Sequence, residues 1–221
     1  MLLSLDRNDL SAYLGNQVST FFPDRKYGAE DLRGPVAEAL ARLEYCFSHI
    51  RLKYFFEDGK ACFNHLNTDQ YAAFLYFTAN TIFRKGGNLD LAAKLYALNK
   101  LLHAFDLFYE VEMPKVFYLQ HPVGSILGRA QYGNFFCVYH GVSIGSNLDD
   151  VAPVMGDGLL MFGGSRLIGN STLGDNCIIA PGAIVMDRDV PENTVTYGMP
   201  PNTQSKPSRR HVIRDIFNYH G

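Results

Sequence analysis

Residues 155–186 read MGDGLL MFGGSR LIGNST LGDNCI IAPGAI VM, and their spacing decides the fold. Met155, Met161, Leu167, Leu173, Ile179 and Val185 follow one another at intervals of six, and every one is aliphatic. Val138 and Ile144 keep the same step upstream, with five extra residues inserted before Met155, inside 147–153, that read as a loop excursion. A period of six is neither an amphipathic helix nor an alternating strand. It is the pattern of a hexapeptide β-helix, in which three short strands and three turns close one triangular coil. One aliphatic side chain per strand points into the prism, and stacked coils turn these into a dry ladder. Gly169-Asn170, Gly174-Asp175-Asn176 and Pro181-Gly182 supply corner residues that tolerate positive φ.

Working outward, the period stops near Pro114, and the chain before it has the pattern of helices. Residues 71–83 and 89–109 are apolar at mixed three- and four-residue spacings and rich in Ala, Leu and aromatics. Residues 36–54 make a third helix candidate behind Gly34-Pro35, and turns are expected at 57–60 and 85–88. The expected organisation is α+β: an α-helical N-terminal domain at 1–112, a β-helix at 113–205, and a tail at 206–221 with a short amphipathic helix over 208–217.

Composition narrows the function. The 221 residues carry a formal net charge of -2, which lacks the basic excess that nucleic-acid binding needs. Cys46, Cys62, Cys137 and Cys177 have no C-x-x-C spacing, so no zinc framework and no metal is implied. The start, MLLSLDRNDL, has no basic n-region followed by an apolar core, and no apolar run reaches the roughly 18 residues of a membrane span. A cytoplasmic protein with free thiols is the expectation.

From His121 onward the sequence resembles the serine acetyltransferase family of hexapeptide-repeat acyltransferases. His121-Pro122-Val123-Gly124-Ser125-Ile126-Leu127-Gly128 fits that family's H-x-x-G-x-x-x-G string, and residues 138–145 are similar to its next coil. Residues 161–170 resemble its coenzyme-binding coil, and 190–201 its closing pattern. The resemblance covers about 114–206; the N-terminal half matches only in being helical. It implies a left-handed β-helix, since period alone does not set the hand. It further implies acetyl transfer from acetyl-CoA, as co-substrate, to a hydroxyl, and assembly as a homotrimer or a dimer of trimers.

By the same resemblance His121 is the general base, a role that suits an imidazole whose pKa lies near neutrality. The carboxylate that orients it falls on Asp106, fifteen residues upstream, or on Glu112 if six residues are missing from the junction. Coenzyme contacts fall on Ser146, Gly163, Gly164, Ile178 and Pro181, and acceptor contacts on Gln120 and His140. The sequence departs from the family at three places. Val151 and Ala152 stand where the family has an Arg-His pair, Gln120 where it has Asp, and His140 where it has Gln. A serine carboxylate loses a cationic partner at 151 and 152. A neutral sugar hydroxyl in surface-polysaccharide synthesis is therefore the leading acceptor on sequence grounds, with serine acetylation for cysteine biosynthesis as the alternative. A non-catalytic trimeric scaffold or regulatory subunit is the reading from another class.

Overall fold

In the computed structural model, which describes residues 1–217, four helices precede the prism: α1 (Arg7–Phe21), α2 (Ala29–Ser48), α3 (Thr68–Arg84) and α4 (Leu89–His103). Side chains set the starts. Asp6 accepts from the amides of Asn8 and Asp9, Asn67 from Gln70, and Asn88 from Asp90 and Leu91, satisfying donors that have no partner inside the helix. Helix α3 is the hub. Residues 70–82 are all buried, and its polar members are satisfied locally, Thr78 donating to the Phe74 carbonyl and Asn80 to that of Tyr109.

Three features differ from the helical reading. Helix α1 lies where no helix was expected, because Ser11 and Gly15 interrupt its apolar face of Leu10, Leu14 and Val18. Helix α2 begins at Ala29 and carries Pro35 inside it, so Gly34-Pro35 does not mark its start. Helix α4 ends at His103, six residues early, where Ala104 turns left-handed at φ 48. A small three-stranded sheet is also present, built from Leu2–Leu3, Phe56–Glu57 and Lys60–Phe63. The expected turn at 57–60 is its hairpin, with Asp58 and Gly59 both at positive φ.

The second half is a three-sided parallel β-helix. One face stacks Phe117–Leu119, Phe136–Val138, Leu160–Met161, Ile178–Ile179 and Thr194–Tyr197. A second stacks Ile126–Leu127, Ser143–Gly145, Arg166–Ile168 and Ile184–Met186. The third has Val154–Met155 on Thr172–Leu173, extended by single bridges at Gln131 and Val190. The six-residue series is the core: Met161, Leu167, Ile179 and Val185 are 0% exposed, and Met155 and Leu173 are buried with them. Each such side chain contributes about 1.5–3 kcal/mol through burial.

At the far end Gln204–Pro207 pairs antiparallel with Thr194–Tyr197, so strand structure crosses the expected boundary at 205. Beyond it α5 (Val212–Ile216) lies within the 208–217 span expected of a tail helix; residues 218–221 of the expected tail lie outside the described residues. The tail returns to the helical half, where Phe217 bridges Ile50 and Arg51 donates to the Arg214 carbonyl. At the near end the prism starts earlier than 113, because Asp106 already bridges Ile126.

Candidate active site

The corner between the first two faces repeats in every coil as Tyr139-His140-Gly141-Val142, Phe162-Gly163-Gly164-Ser165 and Ala180-Pro181-Gly182-Ala183. In these coils the inward residues on either side, such as Val138 and Ile144, are six positions apart. In the first coil Leu119 and Leu127 are the equivalent inward pair, and they are eight apart. The first corner thus contains two additional residues, His121 and Pro122, since the Gln120 amide keeps the ladder bond to Val138 that Tyr139 makes to Met161 one coil on. His121 has φ 50, a left-handed conformation unusual for a residue with a side chain, and its side chain is 71% exposed. The insertion lifts the imidazole off the prism wall.

One carboxylate holds it there. Asp69, in the first turn of α3, has Oδ2 at 3.1 Å from the His121 backbone N–H and 3.2 Å from Nδ1. Asp69 is only 14% exposed. Burial pushes its carboxyl above the usual carboxylate value, and the hydrogen bonds and charge of His121 pull it partly back. On the other side Tyr118 donates to Gln120 Oε1 at 2.5 Å, which aims the Gln120 amide nitrogen at His121 Nε2, 3.2 Å away. With Asp69 ionised and the Gln120 amide nitrogen facing Nε2, the imidazole is neutral. Nδ1–H donates to Asp69 and Nε2 keeps its lone pair, which is the tautomer a general base requires.

Neither carboxylate expected from sequence is brought to His121. Asp106 accepts from Tyr96 Oη at 2.7 Å and Lys100 Nζ at 2.7 Å, and its backbone is committed to the ladder. Glu112 faces Arg84 at 3.9 Å and is exposed. Asp69 escaped sequence reading because it lies 52 positions from His121 and on another element. The only local signal was its place two residues after the capping Asn67, a position where an acid also favours the helix dipole.

The remaining residues fall along the same corner. Gly124, Gly141, Gly164 and Gly182 all have positive φ, and they stack: a Cβ on Gly141 would lie 3.6 Å from the Gly164 amide, and one on Gly164 3.8 Å from Gly182 Cα. Beside them runs the file Val123, His140, Gly163, Pro181. Gly163 is bare for a reason, since a Cβ there would meet the His140 ring at 2.5 Å. The ladder along this corner uses the Gly141, Gly164 and Gly182 amides, whereas those of His140 and Gly163 have no partner among the described residues. The corner is therefore a strip of bare backbone with free donors, which fits a thioester-bearing pantetheine arm laid against it. Ser146 lies at the root of the 147–153 loop and donates to Asp150 at 3.3 Å. Ile178 lies on the first face, 6% exposed, two residues before the Ala180-Pro181-Gly182 corner.

The loop at 147–153 is folded around Asn147, whose side chain accepts from Asp149 and Val151 and donates to Asp187. Val151 and Ala152 bring no charge to it; the cation at the loop is Arg129, 3.2 Å from Asp150. Among the described residues no group of three or more His, Cys, Asp or Glu is arranged to hold a metal ion, and no helix is long and apolar enough to cross a membrane.

No family model matches the chain. It is 28% identical over 129 residues to serine acetyltransferase 2 of Arabidopsis thaliana, covering 57% of this chain and 39% of that protein. It is 26% identical over 136 residues to the serine acetyltransferase of Mycobacterium tuberculosis, covering 59% and 58%. The matched stretch is less than two thirds of either relative's length. Among solved structures it is similar to serine acetyltransferase from Brucella abortus strain S19 in complex with coenzyme A, with a TM-score of 0.67, 16% identity, and coverage of 94% of this chain and 84% of that one. It is also similar to Neisseria gonorrhoeae serine acetyltransferase in complex with serine, with a TM-score of 0.67, 22% identity, and coverage of 90% and 83%. These likenesses carry the fold, a helical N-terminal part followed by a left-handed parallel β-helix of hexapeptide repeats. The resemblance seen in the His121 string extends to the whole architecture.

Proposed function

We propose that this serine acetyltransferase-like chain is an acetyl-CoA-dependent O-acetyltransferase whose acceptor is serine. The observation that carries the reading is the oriented His121: an exposed imidazole, fixed by Asp69 in the tautomer that leaves Nε2 free to take a proton, at the head of a glycine strip. Acetyl-CoA supplies an activated acyl group as its thioester. Nε2 of His121 removes the acceptor's hydroxyl proton as that oxygen adds to the thioester carbonyl. Asp69 stabilises the imidazolium, and the free amides of His140 and Gly163 are available to the oxyanion. Collapse breaks the C–S bond, and the imidazolium returns its proton to the departing thiolate, leaving an acetyl ester and a free thiol. An arriving hydroxyl displaces the Gln120 amide from Nε2.

The relatives named above are serine acetyltransferases, which favours serine over the sugar acceptor suggested by Val151, Ala152 and Gln120. We infer that Arg129, beside Asp150 at the 147–153 loop, supplies the serine carboxylate with the cation that 151 and 152 lack. We further infer a homotrimer, with the helical halves available to pair trimers. Val123, Ile126 and Leu101 are 59%, 49% and 57% exposed beside the site, an apolar surface suited to a second copy that would complete it. The four free cysteines support a cytoplasmic location.

The test is thiol release from acetyl-CoA by the purified chain, against L-serine and a panel of free and nucleotide sugars, with His121→Ala alongside. Serine-dependent release, lost in the variant, is the expected result. Release with a sugar alone restores the polysaccharide reading, and the absence of both turnover and acetyl-CoA binding makes the chain a scaffold.

A further inference from the structure

At the other end of α3 from Asp69 lies a cleft of about 720 Å³ between α2, α3 and the connection at 113–115. Phe77, the α3 lining residue nearest Asp69, is eight residues or roughly 12 Å along the helix from it, and none of the lining residues touches His121. It is lined by four cations, Arg42, Arg84, Lys85 and Lys115, and one acid, Glu38, in a chain whose net charge is -2. Two of the four have carboxylate neighbours. Lys85 pairs with Glu38, and Arg84 stands 3.9 Å from Glu112.

Arg42 and Lys115 have no ion pair among the described residues. Arg42 is half-buried and rigidly aimed. Its Nη1 donates to Thr81 Oγ1 at 2.8 Å and to the Phe77 carbonyl at 3.4 Å, its Nη2 to Asn80 Oδ1 at 2.7 Å, and its plane lies over the Phe77 ring at 4.7 Å. Three of its five N–H groups are thereby used, leaving two for an oxyanion. Burial, first, and the charge of Arg84 hold its pKa below the ordinary value, against Tyr76, Glu112 and Glu38, which act to raise it. Thr81, Phe77 and Asn80 hold this guanidinium in place with no carboxylate in contact; the charges of Glu112 and Glu38 reach it only through space, and an oxyanion in the cleft would complete its hydrogen bonding. The rest of the lining is apolar and partly aromatic: Tyr45 is 50% exposed at the rim, and Met113 and Pro114 form a wall.

We propose that this cleft binds a phosphorylated small molecule with a flat ring, of nucleotide size, its phosphate between Arg42 and Lys115 and its ring against Tyr45 and Met113. The volume lies in the range of small-molecule sites. The site is independent of the acetyltransferase reading: an occupant would touch α3, which carries Asp69, and the segment leading into 117–119, which precedes His121, without entering the glycine strip.

Calorimetric titration of the full chain with AMP, inorganic phosphate and adenosine tests this. AMP is expected to bind once per chain and at least about tenfold more tightly than phosphate or adenosine, because both halves of the ligand are recognised. Arg42→Gln and Lys115→Glu are each expected to weaken AMP about tenfold or more. Lys115 is exposed, so its variant keeps the fold and the test stands even if Arg42→Gln does not fold. No AMP binding at millimolar concentration, an AMP affinity no better than that of phosphate, or an AMP affinity unchanged in Lys115→Glu overturns the proposal.

Discussion

A single oxygen of Asp69 serves both the backbone N–H and the ring Nδ1 of His121, at 3.1 and 3.2 Å. The first contact holds a left-handed backbone conformation that costs on the order of 1–3 kcal/mol in a residue with a side chain. The second sets the tautomer. Position and tautomer of the His121 imidazole, the proposed base, therefore depend on one carboxylate delivered by the helical half.

Asp69→Asn keeps an acceptor for the backbone amide and removes the charge. Its kcat/KM is expected to fall about 100-fold or more, with KM for acetyl-CoA little changed and the melting temperature within a few degrees. Asp106→Asn, which loses the contact with Lys100 and Tyr96, is expected to lose far less activity than Asp69→Asn. Steady-state kinetics on the two variants checks the assignment, and equal losses would refute it.

His103 gives a pH signature of folding. It is buried beside Asn99, whose Oδ1 takes the Nδ1 proton at 2.7 Å, and burial pulls its pKa down to about 4. The unfolded chain binds a proton at this residue near pH 6.5, while the folded one resists until about pH 4. Unfolding takes up a proton between those values, so stability falls as pH drops through that window. Urea midpoints at about pH 7 and about pH 4.5 are expected to differ less in His103→Gln than in the parent.

Gly164→Ala places a methyl group on the glycine strip at φ 74. The backbone conformation costs about 1 kcal/mol, and the methyl group stands where the coenzyme arm is expected to run. KM for acetyl-CoA should rise about tenfold with a smaller change in kcat. An unchanged KM would move the coenzyme away from this corner.

Leu167→Ala tests the ladder. Leu167 is 0% exposed and pairs in register with Ile144 below and Val185 above. Its truncation should cost about 2–5 kcal/mol in urea unfolding, because rigid coils cannot collapse onto the space.

What sequence could reveal follows the physics of each half. The prism was legible because every coil asks the same thing of the same position, so Met161, Leu167 and Ile179 announce it without reference to contacts. His121 was legible through its string. The two-residue expansion around it was also available, as the step from Leu119 to Leu127, once the inward residues are counted. Asp69 was not, because docking of α3 against the first corner is a tertiary event between residues with no shared period. In the helical half, mixed polarity hides α1, and Pro35 resembles a helix boundary in sequence although α2 runs through it.

The antiparallel strand Gln204–Pro207 has a consequence for solubility. A stack of parallel coils ends in an open edge that would accept another coil, its own or a neighbour's, and so grow into a fibre. Here the last parallel strand, Thr194–Tyr197, is already occupied on that side by a strand running the other way. The new outer edge carries Lys206 and Pro207, a charge and a residue with no amide hydrogen, both of which discourage further pairing. On this face the chain thus carries its own terminator against end-to-end pairing.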